Sequence, residues 1–138
     1  MEQLLWSEQF VIDRKELDGE HQNWIRIANR ILSAEDGDKD GLLQALEDLG
    51  AYTLKHFNNE ERLLEAISYD RLHIQRLKHK VILAEMRYTI ENFPQLKKLH
   101  EAIARLVYEW VEGHILGEDI LIRRYLQPSP SEIITSGR

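Results

Sequence analysis

Two histidines stand six residues apart in the stretch YDRLHIQRLKH (69–79), and four more occupy positions 21, 56, 100 and 114. Cysteine is absent, which excludes disulfides, thiolate metal sites and thiol catalysis and leaves only nitrogen and oxygen donors for any metal. Imidazole and carboxylate donors without thiolate suit iron, manganese or zinc. Helical spacing decides which donors can meet. A step of six turns His79 well away from His73, whereas Gln75 and His79, four apart, share a face, as do His56 and Glu60. Asp119 follows His114 by five residues. That spacing fits one face only if the helix is locally widened, as in a π-bulge, or bends near Gly117.

Helices must position these groups. The 138 residues suffice for one domain with a core, and the few prolines and glycines among abundant Leu, Ile, Glu, Lys and Arg favour an all-α protein. Four apolar stripes advance in steps of three and four. The first is His21, Trp24, Ala28 and Ile31, flanked by Ile25 and Leu32. The second is Leu42, Leu46, Leu49, Thr53, His56, Glu60 and Leu63. The third is Leu72, Gln75, His79, Ile82, Met86, Thr89 and Phe93. The fourth is Leu96, Leu99, Ile103, Leu106, Trp110, His114, Gly117 and Leu121. The breaks at 34–41, 67–70 and 92–94 are short, which predicts an up-and-down antiparallel four-helix bundle. Residues 1–17, with Trp6, Phe10 and Ile12, are expected to form an irregular N-terminal arm. Residues 1–126 make the bundle domain, and QPSPSEIITSGR (127–138) reads as a Pro/Ser tail or linker.

The N-terminal MEQLLWSEQF lacks the basic start and apolar run of a signal peptide, and no stretch approaches the ~20 apolar residues of a membrane span. A soluble cytoplasmic protein with no membrane partner is expected. A net charge of -6 argues against a nucleic-acid partner.

In such a bundle the start of the first helix, the end of the second, the start of the third and the end of the fourth lie at one end. His21, His56, Glu60, Gln75, His79 and His114 therefore occupy one layer. Each alone is most simply a hydrogen-bonded core residue or an ion-pair partner. Four histidines and a carboxylate buried together would cost too much desolvation without a cation. One carboxylate among four histidines points to two metals and to a second carboxylate, for which Asp119 is the candidate. The Glu-x-x-His pairs of ferritin-like di-iron bundles are missing, so dinuclear iron dominated by histidine fits better.

LDGEH (17–21), HFNNEE (56–61) and HILGED (114–119), with Trp6 in the arm and Tyr52 before His56, resemble the motifs of the hemerythrins, specifically bacterial hemerythrin-like domains. The likeness runs over residues 6–125. It implies two iron ions bridged by Glu60, Asp119 and an oxo or hydroxo group. His21 and His56 would hold the coordinatively open iron, where dioxygen binds end-on and reversibly; His79 and His114 would hold the other. Trp24, Phe57, Trp110 and Ile115 would line the oxygen pocket and keep water and protons out. The family's pattern asks for a third histidine four residues before His79, and this chain has Gln75 there.

Gln75 admits three readings: its amide oxygen ligates iron, it holds a water in the vacant position, or the site binds one iron poorly. His73 lies off the face and is expected outside the ligand set. Glu61 also points off the stripe, as a support or a solvated residue. DGDKDGLLQALE (36–47) matches a calcium-loop pattern, yet an acidic turn leading into the second helix explains it without calcium. His100, at the far end of the bundle, is expected to be a helix-start residue.

The leading function is a non-haem di-iron protein binding dioxygen, or small ligands such as peroxide and azide-like anions, for sensing, storage or delivery, with the tail hinting at a downstream signalling domain. The alternative is a di-iron peroxidase or oxidase enabled by Gln75. A metal-free structural bundle is the third.

Overall fold

The computed structural model describes residues 4–33, 38–92 and 99–126, with the backbone alone at 99 and 100. Helices α1 (Lys15–Leu32), α2 (Lys39–Ala66), α3 (Leu72–Glu91) and α4 (Leu99–Tyr108) follow in order. Beyond Tyr108 the helix widens into a π-helical segment (Glu109–Asp119) and narrows again into α5 (Ile120–Leu126), so α4 to α5 form one rod. No strand occurs among the described residues. This is the expected all-α bundle, and its cross-links run antiparallel. Glu20 and Trp24 of α1 meet His56 and Thr53 of α2; Glu61 and Glu65 of α2 meet His79 and Arg76 of α3. Lys78 of α3 reaches Glu118 of the rod.

Local chemistry sets the helix ends. The Asp38 carboxylate accepts the Gly41 N–H at 3.0 Å and caps α2. A Cβ at Gly41 would collide with that carboxylate, so a larger residue there would have to push the Asp38 side chain aside. This leaves Asp38 as a helix cap, while Asp36 and Gly37 of the calcium-like pattern lie outside the described residues. α2 closes with Ser68 in the left-handed region (φ 54) and the Tyr69 N–H on the Leu64 carbonyl at 2.9 Å, a Schellman-type ending.

The arm is more ordered and shorter than expected. It carries a 3-10 turn (Glu8–Phe10), Trp6 stacks on Phe10 with ring centres 5.4 Å apart, and Leu4 exchanges two hydrogen bonds with Asn29 at 2.8 and 2.9 Å. α1 starts at Lys15, not after residue 17, because Leu17 must face inward from the helix to meet Ile12, Leu64, Tyr69 and Ile122.

Those five residues make a small apolar cluster at one end. A larger one, containing Trp24, Ile31, Leu46, Leu49, Met86, Ile103 and Trp110, fills the rest. Each fully buried Leu, Ile or Met side chain in them contributes about 1.5–3 kcal/mol. Three stripe positions differ from expectation. Leu64 rather than Leu63 is buried, and from the end of the π segment onward Glu118 and Ile122 replace Gly117 and Leu121 on the inner face. A π turn holds an extra residue, so the inward face arrives one position late. Phe93, Leu96 and the tail 127–138 lie outside the described residues.

Candidate metal centre

Between the two apolar clusters lies a polar layer. α1 supplies His21, α2 supplies His56 and Glu60, α3 supplies Gln75 and His79, and the π segment supplies His114 and Asp119. None is more than 2% exposed. The five-residue step from His114 to Asp119 is accommodated by the π-helix, whose i→i+5 bonds include the Ile120 N–H to the Ile115 carbonyl. Of the two arrangements that spacing left open, a widened helix and a bend near Gly117, the structure has the widened helix.

The two carboxylates divide the layer into halves. Glu60 Oε2 lies 3.4 Å from His21 Nε2 and 3.3 Å from His56 Nε2, while its Oε1 lies 3.1 Å from His79 Nε2 and 3.9 Å from His114 Nε2. Asp119 repeats the pattern, with Oδ2 at 3.3 Å from His21 Nε2 and Oδ1 at 3.1 Å from His114 Nε2. Each carboxylate thus shows one oxygen to each histidine pair, and all four imidazoles present Nε2. His79 and His114 Nε2 are 3.1 Å apart.

The donors fit a cation. His21 Nε2, His56 Nε2, Glu60 Oε2 and Asp119 Oδ2 are buried without a hydrogen-bond partner, a cost that coordination would remove. Two groups of these side chains, Glu60 with His79, His114 and Asp119, and Glu60 with His21 and His56, bring their donor atoms within 4.8 Å of one another. Protonation behaviour agrees. Burial works against charge on His56, yet the hydrogen bond to Glu20 and the Glu60 carboxylate beside it push its pKa up to about 9. Burial likewise opposes charge on His114, and Asp119 and Glu60 lift it to about 10. Burial would raise Glu60, but the four histidines around it hold it well below the usual carboxylate range. Asp119 is lowered too, against burial and the Glu60 charge, by His114 and His21. Without a cation, protons take its place.

Outer contacts aim the rings. Glu20 Oε1 sits 3.0 Å from His56 Nδ1, with Glu20 Oε2 accepting from Asn59 at 2.9 Å; Glu61 Oε2 sits 2.8 Å from His79 Nδ1. Such carboxylate partners turn the opposite ring nitrogen toward a metal. Phe57 stacks flat on His79 (3.7 Å between ring centres), and Trp24 stacks on Trp110 at 3.7 Å, the latter edge-on to His21 at 5.7 Å. Trp24 Nε1 donates to Thr53 Oγ1 at 2.8 Å, which accounts for the polar residue in the second stripe. Ile115 is fully buried beside this group.

Gln75 lies in the layer. Its Nε2 donates to Asp119 Oδ1 at 2.8 Å, and its Oε1 is buried without a partner. The reverse orientation would set amide oxygen against carboxylate oxygen, so Asp119 fixes the amide. His73 is exposed on α3, away from the layer, as its register demands. The side chain of His100 lies outside the described residues.

Two residues were not apparent from spacing. Glu20 is adjacent to His21 in LDGEH, and its tie to His56 depends on how closely α1 and α2 approach. Glu118 is 2% exposed and carries a fork of two bonds from Arg71 (2.9 and 3.0 Å) and one from Lys78 (2.9 Å). Burial would raise its pKa, and these cations outweigh that and lower it. The clamp joins the start of α3 to the segment holding His114 and Asp119.

The profile of the Hemerythrin HHE cation binding domain matches residues 13–126. A Bacteriohemerythrin from Clostridium acetobutylicum is 28% identical over 123 residues, 83% of this chain and 95% of that protein. One from Pseudomonas aeruginosa is 22% identical over 135 residues, 97% of this chain and 88% of its own length. One from Stenotrophomonas maltophilia is 22% identical over 117 residues, 84% and 76%. With the matched profile spanning nearly all of the described bundle, the chain belongs to the hemerythrin HHE cation-binding domain family.

Proposed function

We propose that this chain is a non-haem di-iron protein that binds dioxygen for sensing, storage or delivery. The observation that carries the reading is the division of Glu60 and Asp119, each giving one oxygen to each pair of histidines, which is the arrangement two bridged metals need. Two irons, when bound, would supply the reversible binding of dioxygen. The chain's residues do the rest. His21 and His56 would hold one iron and His79 and His114 the other, with Glu60 and Asp119 as the carboxylates shared between them. Trp24, Phe57, Trp110 and Ile115, all at most 1% exposed, exclude water from the layer. Peroxide and azide-like anions are the other ligands of that size and chemistry. Among the described residues no helix is long and apolar enough to cross a membrane, and we assign the protein to the cytoplasm on its sequence alone. The test is the optical spectrum of reduced, iron-loaded protein before and after oxygen, with iron analysis. About two irons per chain and a spectrum reversed by removing oxygen support the reading; iron near zero after anaerobic loading ends it.

A second reading, a di-iron peroxidase or oxidase, is favoured by one contact. Gln75 spends its donor on Asp119, so the His79/His114 half has two imidazoles and no third nitrogen. Sustained peroxide consumption with a reductant would support turnover over binding.

A further inference from the structure

We infer that small ligands reach the centre through the groove between α3 and the π segment, arriving at the His79/His114 half. The inference rests on the metal reading above, and it selects the half that the family resemblance does not.

Each half offers two imidazoles and carboxylate oxygens, which leaves open positions on either metal. Access then decides which half a ligand meets. On the α1–α2 side the surface grooves are lined by Glu16 and Glu20 with Lys15, Arg26 and Arg62, and no residue of the polar layer borders them. The Glu20 carboxylate there is tied to His56 and Asn59. The α3 side differs. A groove of about 300 Å³ is lined by Leu77, Val81, Ile82 and Gly113, with Lys78, Glu85 and Glu109 as its charged residues, and His114 itself forms part of its wall. The wall is mostly apolar, as suits dioxygen. Through Val81, Glu85 and Glu109 it continues into a longer groove of about 550 Å³ along α3 and α4. His114 borders the groove on one side and Asp119 and His79 on the other, so its ring is the boundary between solvent and centre. Its Nδ1 is buried with no hydrogen-bond partner.

Gly113 strengthens the case. Glycine weakens a helix interior relative to alanine. Nothing lies within 4 Å of where its Cβ would be, so no close packing demands it. Its effect is to keep bulk out of the groove beside His114. Gly19 has the same open space but lines the α1–α2 groove, which makes it a matched control.

The probe is azide binding to the iron-loaded protein, followed by stopped-flow absorbance. In Gly113→Phe and in Leu77→Trp, association and dissociation should both slow about tenfold or more, while Kd, iron content and spectrum stay as in the parent, the signature of a blocked path. Gly19→Phe should leave both rates unchanged. Unchanged rates in both groove variants overturn the inference, as does slowing by Gly19→Phe; iron content and the azide spectrum would then still stand for the metal reading. Failure to take up iron overturns both together.

Discussion

Gln75 and Asp119 form a fully buried hydrogen bond, amide Nε2 to carboxylate Oδ1 at 2.8 Å, between α3 and the π segment. The contact makes Gln75 a support for a carboxylate placed between the two histidine pairs. Replacement by histidine would exchange that support for a third ring nitrogen in the His79/His114 half. In Gln75→His the oxygen-dependent spectrum should persist longer and peroxide consumption should slow; if neither moves, Gln75 has no influence on the centre. Gln75→Leu removes the donor and leaves Asp119 Oδ1 short of a partner, at a cost of about 1–3 kcal/mol. Urea denaturation of the metal-free protein measures it.

The metal-free protein should be sensitive to alkaline pH and the loaded protein should not. His56 and His114 are raised to about 9 and about 10 from 6.5. The stability they contribute is complete below 6.5 and disappears as pH rises through 9 and 10. Glu60 and Asp119 are lowered, so their contribution is present above their ordinary values of 4.5 and 3.8 and is lost as pH falls further. Metal-free protein should therefore lose thermal stability from neutral pH toward pH 10. Metal displaces those protons, so its affinity should rise over the same range and loaded protein should keep its Tm. Melting curves of both forms between pH 5 and 10.5 decide the matter; parallel curves would contradict it.

Glu118→Gln removes the charge that Arg71 and Lys78 clamp. Both cations are partly exposed, so solvent softens the loss, and about 1–2 kcal/mol of stability is expected to go. Metal extraction by a chelator should also accelerate, because the segment that carries Asp119 loses one of its ties to α3. Equal extraction rates in parent and variant would limit Glu118 to a stability role.

Glu61→Gln weakens the orientation of His79 without touching a donor atom that faces the layer. Metal affinity should fall about 10–100-fold. Competition against a chelator of known affinity reads this directly, and an unchanged constant would show that the ring is held by Phe57 alone.

Ser68 holds a left-handed backbone at the end of α2, and this conformation costs a non-glycine residue about 1–2 kcal/mol. Ser68→Gly should raise stability by up to about 1 kcal/mol with no effect on metal content. A decrease in denaturation midpoint would mean that the serine side chain makes a compensating contact.

Much of this architecture was readable from spacing. Steps of three and four put His21, His56, Glu60, Gln75, His79 and His114 on inward faces, and the alternation of helix direction put them in one layer. The misplaced positions share a cause. Stripe counting assumes one turn size throughout, so the π segment displaced the inner face from Gly117 to Glu118 and from Leu121 to Ile122. Leu64 replaced Leu63 because a helix of 3.6 residues per turn drifts against any shorter repeat. Glu118 escaped notice for another reason. A charged residue on a helix is usually solvated, and only the approach of Arg71 and Lys78 from α3 explains its burial. Glu20 was similar, since adjacency to His21 does not reveal a contact with His56.

The rod also behaves as a screw thread. α5 departs directly from Asp119, so returning the widened turns to ordinary pitch would rotate everything beyond by about 100° and advance it by about 1.5 Å per residue expelled. Tyr125 would register that twist. Its hydroxyl donates to the Ile67 and Ser68 carbonyls at 3.1 and 3.0 Å, pinning α5 to the turn between α2 and α3. The grip on a carboxylate at the heart of the bundle is thereby linked, through rigid helix geometry, to a tyrosine that is 41% exposed at its surface.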